Sequence, residues 1–148
     1  MALEDYFPNL KVTHFSVTSP ATGDYNCIAW AAGVTDTWWW PDPMGVSAWP
    51  ATAPCEETVA AFVEAFRSLG YAPCPDDTLE AGYEKVALYA LAGVPKHAAR
   101  QLPSGSWTSK LGELEDIEHT LDGLVGVWYG ALVQILKRPL STPGGGQP

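Results

Sequence analysis

The hydrophobic residues of this chain change their spacing at Gly70, and that change limits the folds open to it. Before it, Val59, Phe62, Val63, Phe66 and Leu69 recur at helical intervals on one face, and Gly70 supplies the stop. After it, short apolar runs divided by Gly, Pro and Ser read as strands. Helices first and an antiparallel meander second predict an α+β domain in two layers, with helices packed on one sheet. At 148 residues and 47% hydrophobic content, the chain is long enough to bury one core of this kind.

The long helix is expected to be capped by Thr52, with Pro54 in its first turn and Glu56 and Glu57 facing the positive end of its dipole. A shorter helix is expected from Cys27, capped by Asp24 or Asn26 and ended by Gly33. Strands are expected at Lys11–Val17, Lys85–Leu91, Lys96–Leu102, Trp107–Leu111 and Val127–Arg138. Glu115–Leu121 reads as a short helix or turn, and Tyr71 to Asp77 as a Pro-rich linker. Between Thr35 and Pro54, Trp38, Trp39, Trp40 and Trp49 stand among four prolines, a composition that permits no regular element. Those rings either plug the core or line a cleft that grips a ligand. A single domain is expected over residues 1–138, followed by a flexible Gly/Pro-rich tail over 139–148.

The net charge of −9 disfavours binding to a nucleic-acid backbone and suits a peptide or protein substrate that is itself basic. No apolar run approaches a membrane span, and the acidic start, Met1-Ala2-Leu3-Glu4-Asp5, does not read as a signal peptide. A cytoplasmic location is the expectation, with export by a dedicated secretion system left open. Three cysteines do not form a disulfide framework, and no C-x-x-C or H-x-x-x-H spacing suggests a metal; no cofactor is expected.

The chemistry-bearing candidates are Cys27 and His97. A thiol in the first turn of a helix meets unpaired N–H groups, which favour thiolate and could stabilise an oxyanion, with the N–H of Cys27 among them. A histidine held mid-strand could take the thiol proton. Cys55 precedes two glutamates, whose charges oppose thiolate, and Cys74 has no activating neighbour in sequence.

Tyr25-Asn26-Cys27-Ile28-Ala29-Trp30-Ala31, together with His97-Ala98-Ala99-Arg100-Gln101 and Trp107-Thr108-Ser109-Lys110-Leu111-Gly112, resembles the papain-like cysteine hydrolase superfamily. Within it the likeness is to the small bacterial NlpC-type and CHAP-type branches and to uncharacterised domains, and it extends through His119 to Tyr129-Gly130. The resemblance implies a papain-like two-layer domain. In it, a cysteine opens a helix packed on an antiparallel sheet, and a histidine on the sheet partners it. A third polar residue follows to orient the histidine. Ile28 stands where the NlpC pattern has Ser-Gly, and no Asn, Gln, His or acidic residue lies on Trp107–Leu111. Asp116 is taken as the third member, because a carboxylate best orients an imidazole, with Ser109 and His119 as alternatives. Trp38 and Trp107 are the candidate substrate-binding rings. The expected activity is amide or ester hydrolysis or acyl transfer, of amidase, peptidase or deamidase type. The rival readings are an inactive binding module on the same scaffold and a secreted effector or toxin domain.

Overall fold

The computed structural model describes residues 2–140. Helix α1 (Leu3–Tyr6) and a 3-10 turn lead into strand β1 (Phe15–Ser19), then helices α2 (Cys27–Ala31) and α3 (Val59–Arg67). Strands β2 (Ala72–Cys74), β3 (Tyr83–Leu91), β4 (Val94–Gln101), β5 (Trp107–Lys110) and β6 (Asp116–His119) follow, and β7 (Ala131–Pro139) closes the sheet. All seven strands form one sheet in the order β1-β6-β5-β4-β3-β7-β2, with every neighbour antiparallel. The architecture is α+β, as the change of spacing predicts. Among the described residues no helix is long and apolar enough to cross a membrane.

Strand alternation divides the core between two faces. Ala87, Tyr89, Ala99, Trp107 and Ile117 bury one face with Phe7, Leu10 and Leu124. Val86, Leu88, Ala98 and Leu136 bury the other under α2 and α3, which contribute Cys27, Ile28, Phe62 and Phe66. Asn26 caps α2, its side chain accepting from the N–H of Ala29, and Gly33 follows the helix at φ +85°.

Helix α3 begins later than expected: Thr58, not Thr52, is its cap and accepts from the N–H of Ala61. The preceding residues are held in turns, with Ala53 N–H bonding the Pro50 carbonyl and the Trp49 indole N–H bonding that of Pro54. The second bond occupies the Pro54 carbonyl, which a helix capped at Thr52 would direct to its own next turn. The expected linker after Gly70 contains β2, an edge strand in which Pro73 lies opposite Leu136. An edge position tolerates proline because its outward side has no ladder bond to lose.

Residues 116–119 are a strand rather than part of a helix. Gly112 turns the chain at φ +61°, the Lys110 ammonium gathers the Gly112 and Leu114 carbonyls, and Leu111 N–H bonds the Glu115 carbonyl. That hairpin sets Asp116 opposite Lys110 and His119 opposite Trp107. The last strand starts at Ala131 rather than Val127, because Gly126 and Gly130 exchange hydrogen bonds and close a loop around Tyr129. Pro139 ends β7 and Leu140 N–H bonds the Gly82 carbonyl, so the domain runs two residues into the expected tail. Residues 141–148 of that tail lie outside the described residues.

Candidate functional site

The site is built where β4 and β5 part company. Their ladder pairs only Arg100 with Thr108 and Gln101 with Trp107, and α2 packs where it would continue. The Cys27 sulfur occupies that gap. Its thiol donates to the Lys96 carbonyl at 3.9 Å, and the N–H of Ala98 donates toward it. The nucleophile candidate is thus seated against the backbone on either side of His97.

His97 projects from β4 to the opposite face of the sheet from the body of α2, paired with Tyr89 in register. Its ring is fully buried and lies flat on Tyr129, 4.1 Å between centroids at an interplanar angle of 6°. Nε2 is 2.8 Å from the Ser109 hydroxyl, and that hydroxyl is 2.7 Å from Nε2 of His119. His119 Nδ1 in turn meets the Thr120 carbonyl at 2.6 Å. His97 Nδ1 is buried without a hydrogen-bond partner. Of the two ring nitrogens it is the one covalently nearer the backbone.

The polarity of this chain follows from its far end. A carbonyl can only accept, so Nδ1 of His119 carries the proton. Burial pushes His119 down to about 4, over the opposing pull of the Thr120 carbonyl and Glu118, so the ring is neutral at pH 7. Its Nε2 is then a bare acceptor, and the single hydroxyl proton of Ser109 points to it. The Ser109 oxygen must therefore accept from His97, which places the His97 proton on Nε2 and leaves Nδ1 as a free lone pair. Burial, and then the neighbouring His119, push His97 well below the ordinary imidazole value. The network presents a neutral base with its basic nitrogen fixed.

Asp116 is not the residue that orients His97. It lies on the α2 side of the sheet, opposite Lys110 in register, where its Oδ2 accepts from the Tyr25 hydroxyl at 2.6 Å. Burial, and then that hydrogen bond, raise Tyr25 to about 12. Asp116 belongs to the bed on which α2 rests, together with Tyr25 stacked on Trp30 and Trp30 Nε1 bonded to Thr108. Ser109 and His119, on the other parity of β5 and β6, hold the position expected for Asp116.

The expectation of a lowered thiol pKa is also corrected. Burial pushes Cys27 up to about 11, against the N–H groups of Ala98, Ile28 and Cys27 and the charge of Lys110. The field at a helix end is worth only about 0.3–1 kcal/mol, while burying a titratable group displaces it by several times that. With 7% of its surface exposed, Cys27 rests as a neutral thiol. Cys55 is exposed and Cys74 half-buried, and both are free.

Cys27 opens onto a cleft of about 520 Å³ lined by Trp38, Trp40, Asp42, Glu57 and Tyr129 among others. The tryptophan segment both packs on the core and lines this cleft. Trp40 and Trp49 pack on Phe62 at 5.3 and 5.1 Å between centroids, while Trp38 and Trp40 also line the cleft. Asn26 ties this segment to the Cys27 helix: its side chain accepts from Trp39 N–H and donates to the Trp39 carbonyl. Trp107, in contrast, is 4% exposed in the core of the other face and does not line this cleft. Tyr129 carries no periodic signal in sequence; the hint of it was its place beside Trp128 between Gly126 and Gly130, where the resemblance ends.

Nothing among curated proteins and nothing among solved structures matches the chain. Residues 16–137 match the model of a family described as a domain of unknown function, DUF7689, a span that holds Cys27, His97, Ser109, His119 and Tyr129. The chain belongs to the DUF7689 family.

Proposed function

We propose that this domain is a papain-like cysteine hydrolase or acyl-transfer enzyme acting on an amide or ester. The reading rests on a cleft-facing Cys27 whose sulfur is seated against the backbone flanking His97, and on a tautomer-fixed His97 whose Nδ1 is buried and unpartnered. Because both groups rest neutral, His97 acts as a general base during attack rather than as one half of a standing ion pair. The sulfur forms a thioester with the acyl carbon as its proton passes to Nδ1. That proton then leaves on the amine or alcohol. Water, deprotonated by the same nitrogen, hydrolyses the thioester and restores the thiol. Ser109 and His119 are positioning residues, holding the proton on Nε2 throughout.

An activated ester tests this without knowledge of the natural substrate. Incubation with p-nitrophenyl acetate at pH 7, quenching in acid and peptide mapping should place the acetyl group on Cys27 ahead of the more exposed Cys55. Cys27→Ala should abolish the burst of nitrophenolate. Acetyl found only on Cys55 or Cys74 would end the proposal.

One observation favours a second reading, a binding module without turnover. Cys27 is nearly covered and its thiol is raised, as in a structural cysteine. In that case the same mapping leaves Cys27 unmodified.

A further inference from the structure

Trp38 and Trp40 line the cleft with their indole donors already engaged. Trp38 Nε1 donates to the Gly23 carbonyl at 2.7 Å, and Trp40 Nε1 donates to Glu57 Oε2 at 3.3 Å. What these residues can offer a ligand is ring surface. Beside them stand two carboxylates. Asp42 turns its oxygens onto the N–H groups of Met44 and Val46, which fixes it within the loop, and Glu57 is pinned along the edge of Trp40. Carboxylate oxygens serve as hydrogen-bond acceptors. The basic residue of the lining, Lys96, has its carbonyl at Cys27, where it receives the thiol. The tryptophan end of the cleft is therefore aromatic and anionic, with the Ser47 hydroxyl as its uncommitted side-chain donor. An anion would face both carboxylates there, and a sugar finds acceptors but no indole N–H. A cation on an apolar stem fits every feature: the stem on the rings, the charge toward the carboxylates.

We propose that the cleft selects acyl groups bearing a lysine or arginine side chain, with Trp38 and Trp40 covering its stem and Glu57 and Asp42 facing its charge. The position of the acyl carbon rests on the hydrolase reading above, whereas recognition of the cation does not. The charge of −9 on the whole chain adds long-range attraction for such a ligand.

Two arms test the proposal. In the first, Cys27 acylation is timed with the p-nitrophenyl esters of Nα-acetyl-lysine and Nα-acetyl-norleucine, which differ in charge but closely match in stem. The lysyl ester should react about tenfold faster, the range of a single partly desolvated cation–π and charge contact. That ratio should fall toward one in Glu57→Gln. Glu64→Gln removes the same charge outside the cleft lining, where Glu64 pairs with Arg67, and should leave the ratio standing. Equal rates, a norleucyl preference, or a ratio indifferent to Glu57→Gln would overturn the proposal. In the second arm, tryptophan fluorescence of Cys27→Ala is titrated with acetyl-Ala-Lys-Ala-amide and its norleucine counterpart. If neither ester acylates Cys27, the hydrolase reading has failed and this arm decides the cleft alone. Tighter binding of the lysine peptide sustains the cation site, and indistinguishable binding removes it.

Discussion

Replacing His97 with glutamine is expected to slow acylation of Cys27 by about 10²–10⁴-fold, the usual contribution of a positioned general base. Glutamine is close in size and keeps an N–H for Ser109, so the buried chain to His119 retains a donor where it needs one. What disappears is the lone pair on Nδ1. The raised thiol sets the depth of the loss: with Cys27 near 11, only about one molecule in 10⁴ carries a thiolate at pH 7. The variant must react through that fraction, so its rate should climb tenfold per pH unit up to about pH 10. The native chain, drawing on a neutral base, should show a rate nearly level from pH 7 to 9. A stopped-flow record of nitrophenolate release across this range checks both the size and the slope.

Gly130→Ala is expected to lower the unfolding free energy by about 4 kcal/mol, in the range reserved for steric conflicts within a core. Gly130 sits at φ +76°, a region disfavoured for alanine by about 1–2 kcal/mol before any contact is considered. A Cβ there would stand 1.9 Å from the Ala90 carbonyl oxygen and 2.6 Å from its carbon. Those atoms are backbone of β3, so no side chain can swing aside to make room. The loop must retreat from the sheet, taking with it the Tyr129 ring that lies on His97. Urea denaturation should show a lower midpoint with an unchanged slope, and acylation of Cys27 should slow under conditions where the variant is still folded.

Local signals carried much of this architecture. Asn26 and Gly33 bracket the Cys27 helix because capping and stopping are decided by neighbours in sequence. The paired strands from Tyr83 to Lys110 announce themselves by apolar runs and by turns at Gly93 and Gly105. Residues 116–119 were not legible in the same way. Asp-Ile-Glu-His has no run of β-branched residues, and its strand state comes from pairing with β1 and β5. Once it is a strand, alternation sends Asp116 toward Tyr25 and His119 toward Ser109, which is why a choice among the three could not be made from their chemistry alone. The state of the Cys27 thiol was hidden for a related reason. A helix-start position is local, but burial is a property of everything packed around it, here α2, β4 and the tryptophan segment.

The central claim is that the Thr120–His119–Ser109 chain leaves His97 neutral, with its proton on Nε2 and a lone pair on Nδ1. Long-range nitrogen–carbon NMR correlations of the imidazole rings, followed from pH 8 to pH 4, read this directly. The account predicts that His97 is the Nε2–H tautomer and His119 the Nδ1–H tautomer at pH 7. His119 should gain its second proton only near pH 4, and His97 should stay neutral well below 6.5. A His97 ring protonated on Nδ1, or one already imidazolium at pH 7, would contradict it.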